Sequence, residues 1–182
     1  MTTAATLTGT WTVDAIHSDA TFKVRHMAVG KAKGTFAIKS AELVVPEAGL
    51  AAGSVTAVLD ATSVDTKQEQ RDAHVKSPDF LDVENHPELT FVSKSIRDFD
   101  GDEFVVVGDL TIRGNTREVE LKTEFLGATT DAYGAERVGF SAKTSISRKE
   151  FDVNFNAAFG AGNAVVADKV EIDLELEFTK NA

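Results

Sequence analysis

The stretch that most constrains the fold is Val170, Ile172, Leu174, Leu176 and Phe178, set alternately with Glu171, Asp173, Glu175 and Glu177. Successive side chains of a strand point to opposite faces, so this pattern describes a strand with one dry face and one wet face. The same period of two recurs along the chain. Phe22 and Val24 alternate with Thr21, Lys23 and Arg25, and Phe36 and Ile38 with Thr35, Ala37 and Lys39. Val55, Ala57, Leu59 and Ala61 continue it, blurred by Val58, and Leu89 and Phe91 start another strand. Phe104, Val106, Gly108, Leu110 and Ile112 form one face of the next. After the turn signal Arg113-Gly114-Asn115-Thr116, the return strand puts Val119, Leu121 and Phe125 inward, and Val138, Phe140, Ala142 and Ile146 follow.

One apolar face per strand, joined by short polar turns, predicts antiparallel sheet. The expected fold is all-β, an extended antiparallel barrel of about eight strands, since closure removes exposed edges; a sandwich is the competing architecture.

Residues 63–80 break the period. Thr66 followed by Glu69 is a capping-box pattern, and Ser77-Pro78 should stop a helix, so one short helical insert is expected near residues 66–77. A single helix in such a chain suggests a plug or lid on a barrel end. Two segments read as loose, 127–136 and 154–167. The second is either a plain surface loop or a mobile rim over a cavity.

A length of 182 residues favours one domain over 1–182, large enough to need no staples. The absence of cysteine excludes disulfides, thiolate zinc sites and a cysteine nucleophile. The N-terminus has neither a basic nor an apolar signal region, and it starts at methionine. A cytoplasmic protein, not a processed precursor, is therefore expected. No apolar run approaches a membrane span, so no stable membrane insertion is expected. The formal charge of −10 repels nucleic acid and anionic bilayers at long range, but it leaves room for a local basic mouth.

Catalytic signatures are missing. There is no G-x-S-x-G, P-loop or H-E-x-x-H, and Gly160-Ala161-Gly162 lacks the third glycine of a dinucleotide fingerprint. His17, His26, His74 and His86 include no pair at metal-ligand spacing, and no metal site is expected. His17 and Ser18 would point to opposite faces of a strand, so they are no nucleophile–base pair. Arg71-Asp72 on a polar helix reads as a structural ion pair or capping contact rather than acid–base machinery. No catalytic residue is therefore assigned. Twelve phenylalanines, many on the apolar faces, stand with small inward residues such as Ala57, Ala61, Gly108 and Ala142. Such a face either packs solid or leaves a tunnel, and a barrel of about eight strands can just hold one small ligand.

The order and spacing of several motifs resemble the YceI-like family of lipocalin-like, polyisoprenoid-binding proteins. They are Gly9-Thr10-Trp11, Asp14-Ala15-Ile16-His17-Ser18, Phe22-Lys23-Val24, Gly34-Thr35-Phe36 and Ser63-Val64-Asp65-Thr66. After these come the run from Arg71 to Phe80, His86-Pro87-Glu88-Leu89-Thr90-Phe91, Gly108-Asp109-Leu110-Thr111-Ile112-Arg113-Gly114 and Ser147-Arg148-Lys149-Glu150-Phe151. The resemblance implies a helix beside the barrel mouth, a long apolar tunnel for an isoprenoid chain, and no catalysis. Two departures stand out. Many members of the family are exported, and the family's glycine after the late Phe is Asp152 here.

The resulting expectation is a non-enzymatic carrier or store of a small-molecule amphiphilic lipid. It would need no cofactor beyond a bound polyprenyl lipid or isoprenoid quinone. The tail would lie along Phe22, Phe36, Phe80, Phe91, Phe104, Gly108, Leu110, Phe140 and Leu174, with Arg71, His74 and Arg148 meeting a head group. The alternative for each of the three is a structural or surface role. Gly108→Leu should obstruct the tunnel without unfolding the protein. The competing function is a filled barrel that binds a partner or serves in stress without a lipid. Unpaired strand edges would favour a homodimer, and closure would remove that reason.

Overall fold

Short turns join most consecutive strands, so neighbours in sequence become neighbours in the sheet. The structure, a computed structural model, describes residues 2–159 and 163–182. Its strands are β1 (Gly9–Val13), β2 (Asp19–His26), β3 (Gly30–Val45), β4 (Ser54–Asp65), β5 (Glu88–Asp100), β6 (Glu103–Ile112), β7 (Asn115–Thr130), β8 (Glu136–Ser147), β9 (Ala158–Phe159), β10 (Asn163–Ala164) and β11 (Val166–Lys180). From β2 to β8 each strand pairs antiparallel with the next, and β11 pairs with both β8 and β2. That closes a barrel of eight strand positions and removes the edge-pairing reason for a dimer. β1 and β2 share one position: β2 covers one stretch of β11 and β3, and β1 covers the far stretch, Trp11 lying between Lys180 and Leu43.

The hairpin signal at Arg113 and Gly114 holds. Both have positive φ, 50° and 72°, as a tight two-residue hairpin turn requires. Arg113 also donates from Nη1 to the carbonyls of Pro78 and Phe80, tying the segment after the helix to the barrel wall.

The helix α1 (Glu69–Lys76) begins later than the capping-box pattern predicts. Gln68 is the N-cap, its side-chain oxygen accepting from the Arg71 N–H. Lys67 sits at φ 63°, which no helix continues through. The Thr66 hydroxyl is engaged elsewhere, donating to Asp72 Oδ1 and accepting from Arg71 Nε at 2.8 Å. The stop at Ser77 is as expected.

The segment 127–136 is not loose. β7 runs on to Thr130, and the remaining turn is organised by Asp131, whose Oδ1 accepts from the N–H groups of Tyr133 and Ala135. In 154–167, β9 pairs with β10 and Val166 already belongs to β11, while Gly160-Ala161-Gly162 lies outside the described residues.

The two ends of the barrel differ. At one, Ala4, Leu7, Trp11 and Leu50 are buried together and plug it. At the other, α1, the β2–β3 turn, the β6–β7 turn and residues 148–159 after β8 surround an opening. Leu81, Ile146, Phe151 and Val153 form a second, smaller cluster there.

Candidate functional site

Between the two ends lies a cavity of about 510 Å³. Its wall is built from residues of β2 to β8 and β11 with the segments that join them, and it contains alanine, valine, leucine, isoleucine and phenylalanine with a few threonines, arginines and histidines. Val170, Ile172, Leu174 and Leu176 face inward yet are only partly buried, because their side chains border empty space. Phe22, Phe36, Phe80, Phe91, Phe104, Leu110, Phe140 and Leu174 all line it, as do Arg71, His74 and Arg148.

Gly108 does not line the cavity. A Cβ there would stand 2.4 Å from Phe91 Cζ and 2.6 Å from the Val92 carbonyl oxygen. The Phe91 ring lies over the glycine and covers it. Gly34 has the same relation to Phe22, with Phe22 Cζ 2.4 Å from where a Cβ would be. Two rings are thus folded against the wall on hydrogen-only positions instead of standing in the lumen. Gly108→Leu would collide with backbone, so it is expected to destabilise the barrel rather than merely obstruct it.

Polar groups gather at the open end. Arg71 is exposed and spends Nε and one Nη2 hydrogen on Thr66, whose carbonyl accepts at 2.7 Å, leaving Nη1 without a described partner. It makes no ion pair with Asp72 among the described residues. His74 Nε2 lies 2.8 Å from Asp79 Oδ2, and the ring meets Phe80 and Phe155 edge-on at centroid distances of 4.9 and 4.7 Å. Arg148 is 4% exposed. It donates to the carbonyls of Ala167, Val153, Phe155 and Val166 at 2.7–3.2 Å. Burial pushes its guanidinium down from the ordinary arginine value, with Asp168 acting the other way. Arg148 therefore fastens the rim, and most of its donors are unavailable to a head group. Asp152 holds a position that glycine would take easily. It takes the left-handed conformation itself, at φ 60° and ψ 26°, and its Oδ1 accepts from Asn154.

Sequence reasoning missed Arg25, His26 and Phe155, which also belong to the wall. Arg25 and His26 sit where the β2 alternation reaches its turn, and Phe155 lies in an unpatterned segment, so periodicity could not assign them.

Far from the mouth, Asp14, His17 and Glu177 come together. Arg137 already serves all but His17, with Nη1 2.8 Å from Asp14 Oδ2 and 2.6 Å from Glu177 Oε1, and its Nε binds Asp131. His17 and Arg137 hold the Asp14 carboxyl well below the usual carboxylate range, and Asp14 in turn raises His17. This is an ion-pair knot on the outer wall. Ser18 bonds the backbone of Glu177, not His17.

A closed antiparallel barrel around an apolar lumen, with one helix at its mouth, defines the lipocalin-like class. Residues 11–178 match the YceI-like domain, and the chain belongs to that family. It is 35% identical to a UPF0312 protein of Staphylococcus epidermidis over 91% of this chain and 95% of the relative. It is 36% identical to Protein YceI of Escherichia coli O157:H7 over 75% and 71%. The crystal structure of Burkholderia cenocepacia BcnA superposes with a TM-score of 0.76 at 26% identity, covering 91% and 98%. A polyisoprenoid-binding domain from Saccharophagus degradans, implicated in plant cell wall breakdown, shares the fold with a TM-score of 0.66 at 15% identity, covering 99% and 100%. No helix among the described residues is long and apolar enough to cross a membrane.

Proposed function

We propose that the barrel binds and carries a long-chain polyisoprenoid or a similar amphiphilic lipid, with the tail in the lumen and the head at the mouth. The observation that carries this reading is the apolar cavity of about 510 Å³, within the usual range of ligand pockets. A filled barrel would lack it. Family membership supports the same reading, as does the fold shared with a polyisoprenoid-binding domain. Each buried CH₂ contributes roughly 0.8 kcal/mol, so a few isoprene units can offset association costs.

Among the described residues the wall carries three arginines and two histidines and no carboxylate, in a chain of formal charge −10. A head with acceptor oxygens, such as a prenyl phosphate or a quinone, suits that end. Arg71 Nη1, Arg25 and His26 are the donors best placed for it. Among the described residues, the hydroxyls of the wall come from threonine.

Native mass spectrometry of gently purified protein, with polyprenols added, tests the reading. Leu174→Trp places bulk in the lumen and should cut uptake roughly tenfold, with Tm held or raised as empty volume is filled. Full uptake by the folded variant, or none by the unaltered protein, would sink the proposal.

A further inference from the structure

Charge is spread unevenly over this acidic protein. Residues 20–41 contain Lys23, Arg25, His26, Lys31, Lys33 and Lys39 and not one carboxylate. All of them lie on the β2–β3 hairpin. In its register Lys23 stands opposite Lys33, and Arg25 opposite Lys31. Like charges directly opposite destabilise a sheet, so two such pairs in one hairpin are a cost to the fold. β11 offsets part of it, through Lys23 to Asp173 at 3.4 Å and Lys31 to Glu171 at 3.3 Å. Arg25 and Lys33 have no carboxylate partner among the described residues.

The tip of this hairpin is apolar. Its loop is Met27-Ala28-Val29, with Met27 and Ala28 at φ 51° and 60°, where glycine or asparagine would be the easy choice. Val29 is 93% exposed and Met27 40%. The Met27 N–H donates to the Val165 carbonyl at 2.8 Å, and Val165 belongs to the cavity wall. The apolar tip with its cationic flanks therefore stands at the edge of the cavity mouth. On the helix side the exposed charges are mixed, with Glu69, Asp79 and Glu84 beside Lys67, Arg71 and His74.

We propose that the β2–β3 hairpin is a docking lip for an anionic lipid bilayer. Met27 and Val29 enter the head-group layer, the basic flanks face lipid phosphates, and the edge of the mouth beside the hairpin is held against the membrane. Apolar insertion and attraction to anionic lipid act together in such interfacial contacts. The net negative charge does not prevent it, because salt confines each charge to about 8 Å at physiological ionic strength. This proposal rests on the lipid-carrier reading, for which the lip would deliver the mouth to its ligand's source.

The test is flotation with vesicles of phosphatidylcholine alone and of equal parts phosphatidylcholine and phosphatidylglycerol. The full chain should float with the anionic vesicles and be released by salt. Lys33→Glu and the double variant Met27→Asn/Val29→Ser should each lose roughly tenfold in vesicle affinity. Both keep the fold within reach, since the carboxylate introduced by the first would face Lys23 across the ladder and Asn tolerates the left-handed turn. Polyprenol uptake from detergent, read by native mass spectrometry, should be unchanged in both. Vesicle binding without polyprenol uptake would support the lip and end the carrier reading. Polyprenol uptake without vesicle binding, or variants that float like the unaltered chain, would overturn the lip. So would a concentration-dependent dimer that Val29→Ser abolishes, which would assign the tip to a second copy.

Discussion

The two ends of the barrel are made from the same alternating strands, yet one is solid and the other open. At the solid end, short 3-10 turns at Ala4–Thr6 and Leu50–Ala52 deliver Ala4 and Leu50 onto Trp11 and Leu7. At the open end, the crossing segments are fastened by guanidinium groups to backbone carbonyls. Arg113 holds Pro78 and Phe80, and Arg148 holds Val153, Phe155, Val166 and Ala167. An apolar plug fills space as it stabilises. Arginine ties give a rim its shape while leaving the volume beneath it empty. The strands set the bore of the barrel, and the chemistry of what crosses each end decides whether that bore is used.

The comparison can be broken by substitutions at each end. Trp11→Ala should be the most damaging, costing about 3–5 kcal/mol in chemical denaturation through loss of burial and a new cavity. Trp11→Phe should cost far less, because the indole Nε1–H is buried without an acceptor among the described residues, and the change removes that penalty. Phe80→Ala, at the partly buried rim, should cost less, about 1–2 kcal/mol, since Phe80 packs at the edge of the smaller cluster and the opening beside it lets the site relax. Equal losses from Trp11→Ala and Phe80→Ala would erase the distinction between the ends.

Gly108→Leu probes the wall between them. It should destabilise by roughly 2 kcal/mol from overpacking against Phe91 and Val92, and thermal melting would show it. A variant as stable as the unaltered protein would mean that the Phe91 ring can leave its glycine.

The smallest effect belongs to the ion-pair knot on the outer wall. Asp14 is held below its ordinary value of 3.8, so its stabilisation is full above that pH and is lost as pH falls through the lower folded value. His17 is raised above 6.5, so its share is full below that pH and fades as pH rises through the folded value. Arg137→Gln should therefore lower the melting temperature slightly at neutral pH, with the difference narrowing on strong acidification as the carboxylates lose their charge. A Tm profile that does not change with pH would show that the knot contributes nothing.

The walls of the barrel were legible because a strand repeats every second residue and because turns demand left-handed residues, as at Arg113 and Gly114. The contents of the lumen were less legible. Gly108 sits on the inward face, but pattern alone could not show that Phe91 from β5 lies over it, since that depends on pairing between strands. Arg148 resembled a ligand donor because a buried arginine and an exposed one look the same in sequence. Asp152 looked like a lost glycine, whereas aspartate also tolerates the left-handed region. Thr66 and Glu69 matched a capping box, but burial of the Thr66 hydroxyl against Asp72 and Arg71 overrode that local signal. Tertiary contact decided each case, and single-sequence periodicity carries none of it.

The seam of the barrel has a consequence for how the chain reaches this state. The Thr21 hydroxyl donates to the Asp173 carbonyl across 152 residues of sequence. β2 and β8 can find their shared neighbour only after β11 has left the ribosome. Until then the growing chain holds a curved, incomplete sheet with two bare edges and a greasy concave face. Pairings of such high contact order are slow to form and exposed to aggregation. Closure thus waits on β11, and whatever occupies the lumen has the chance to arrive before that strand seals it.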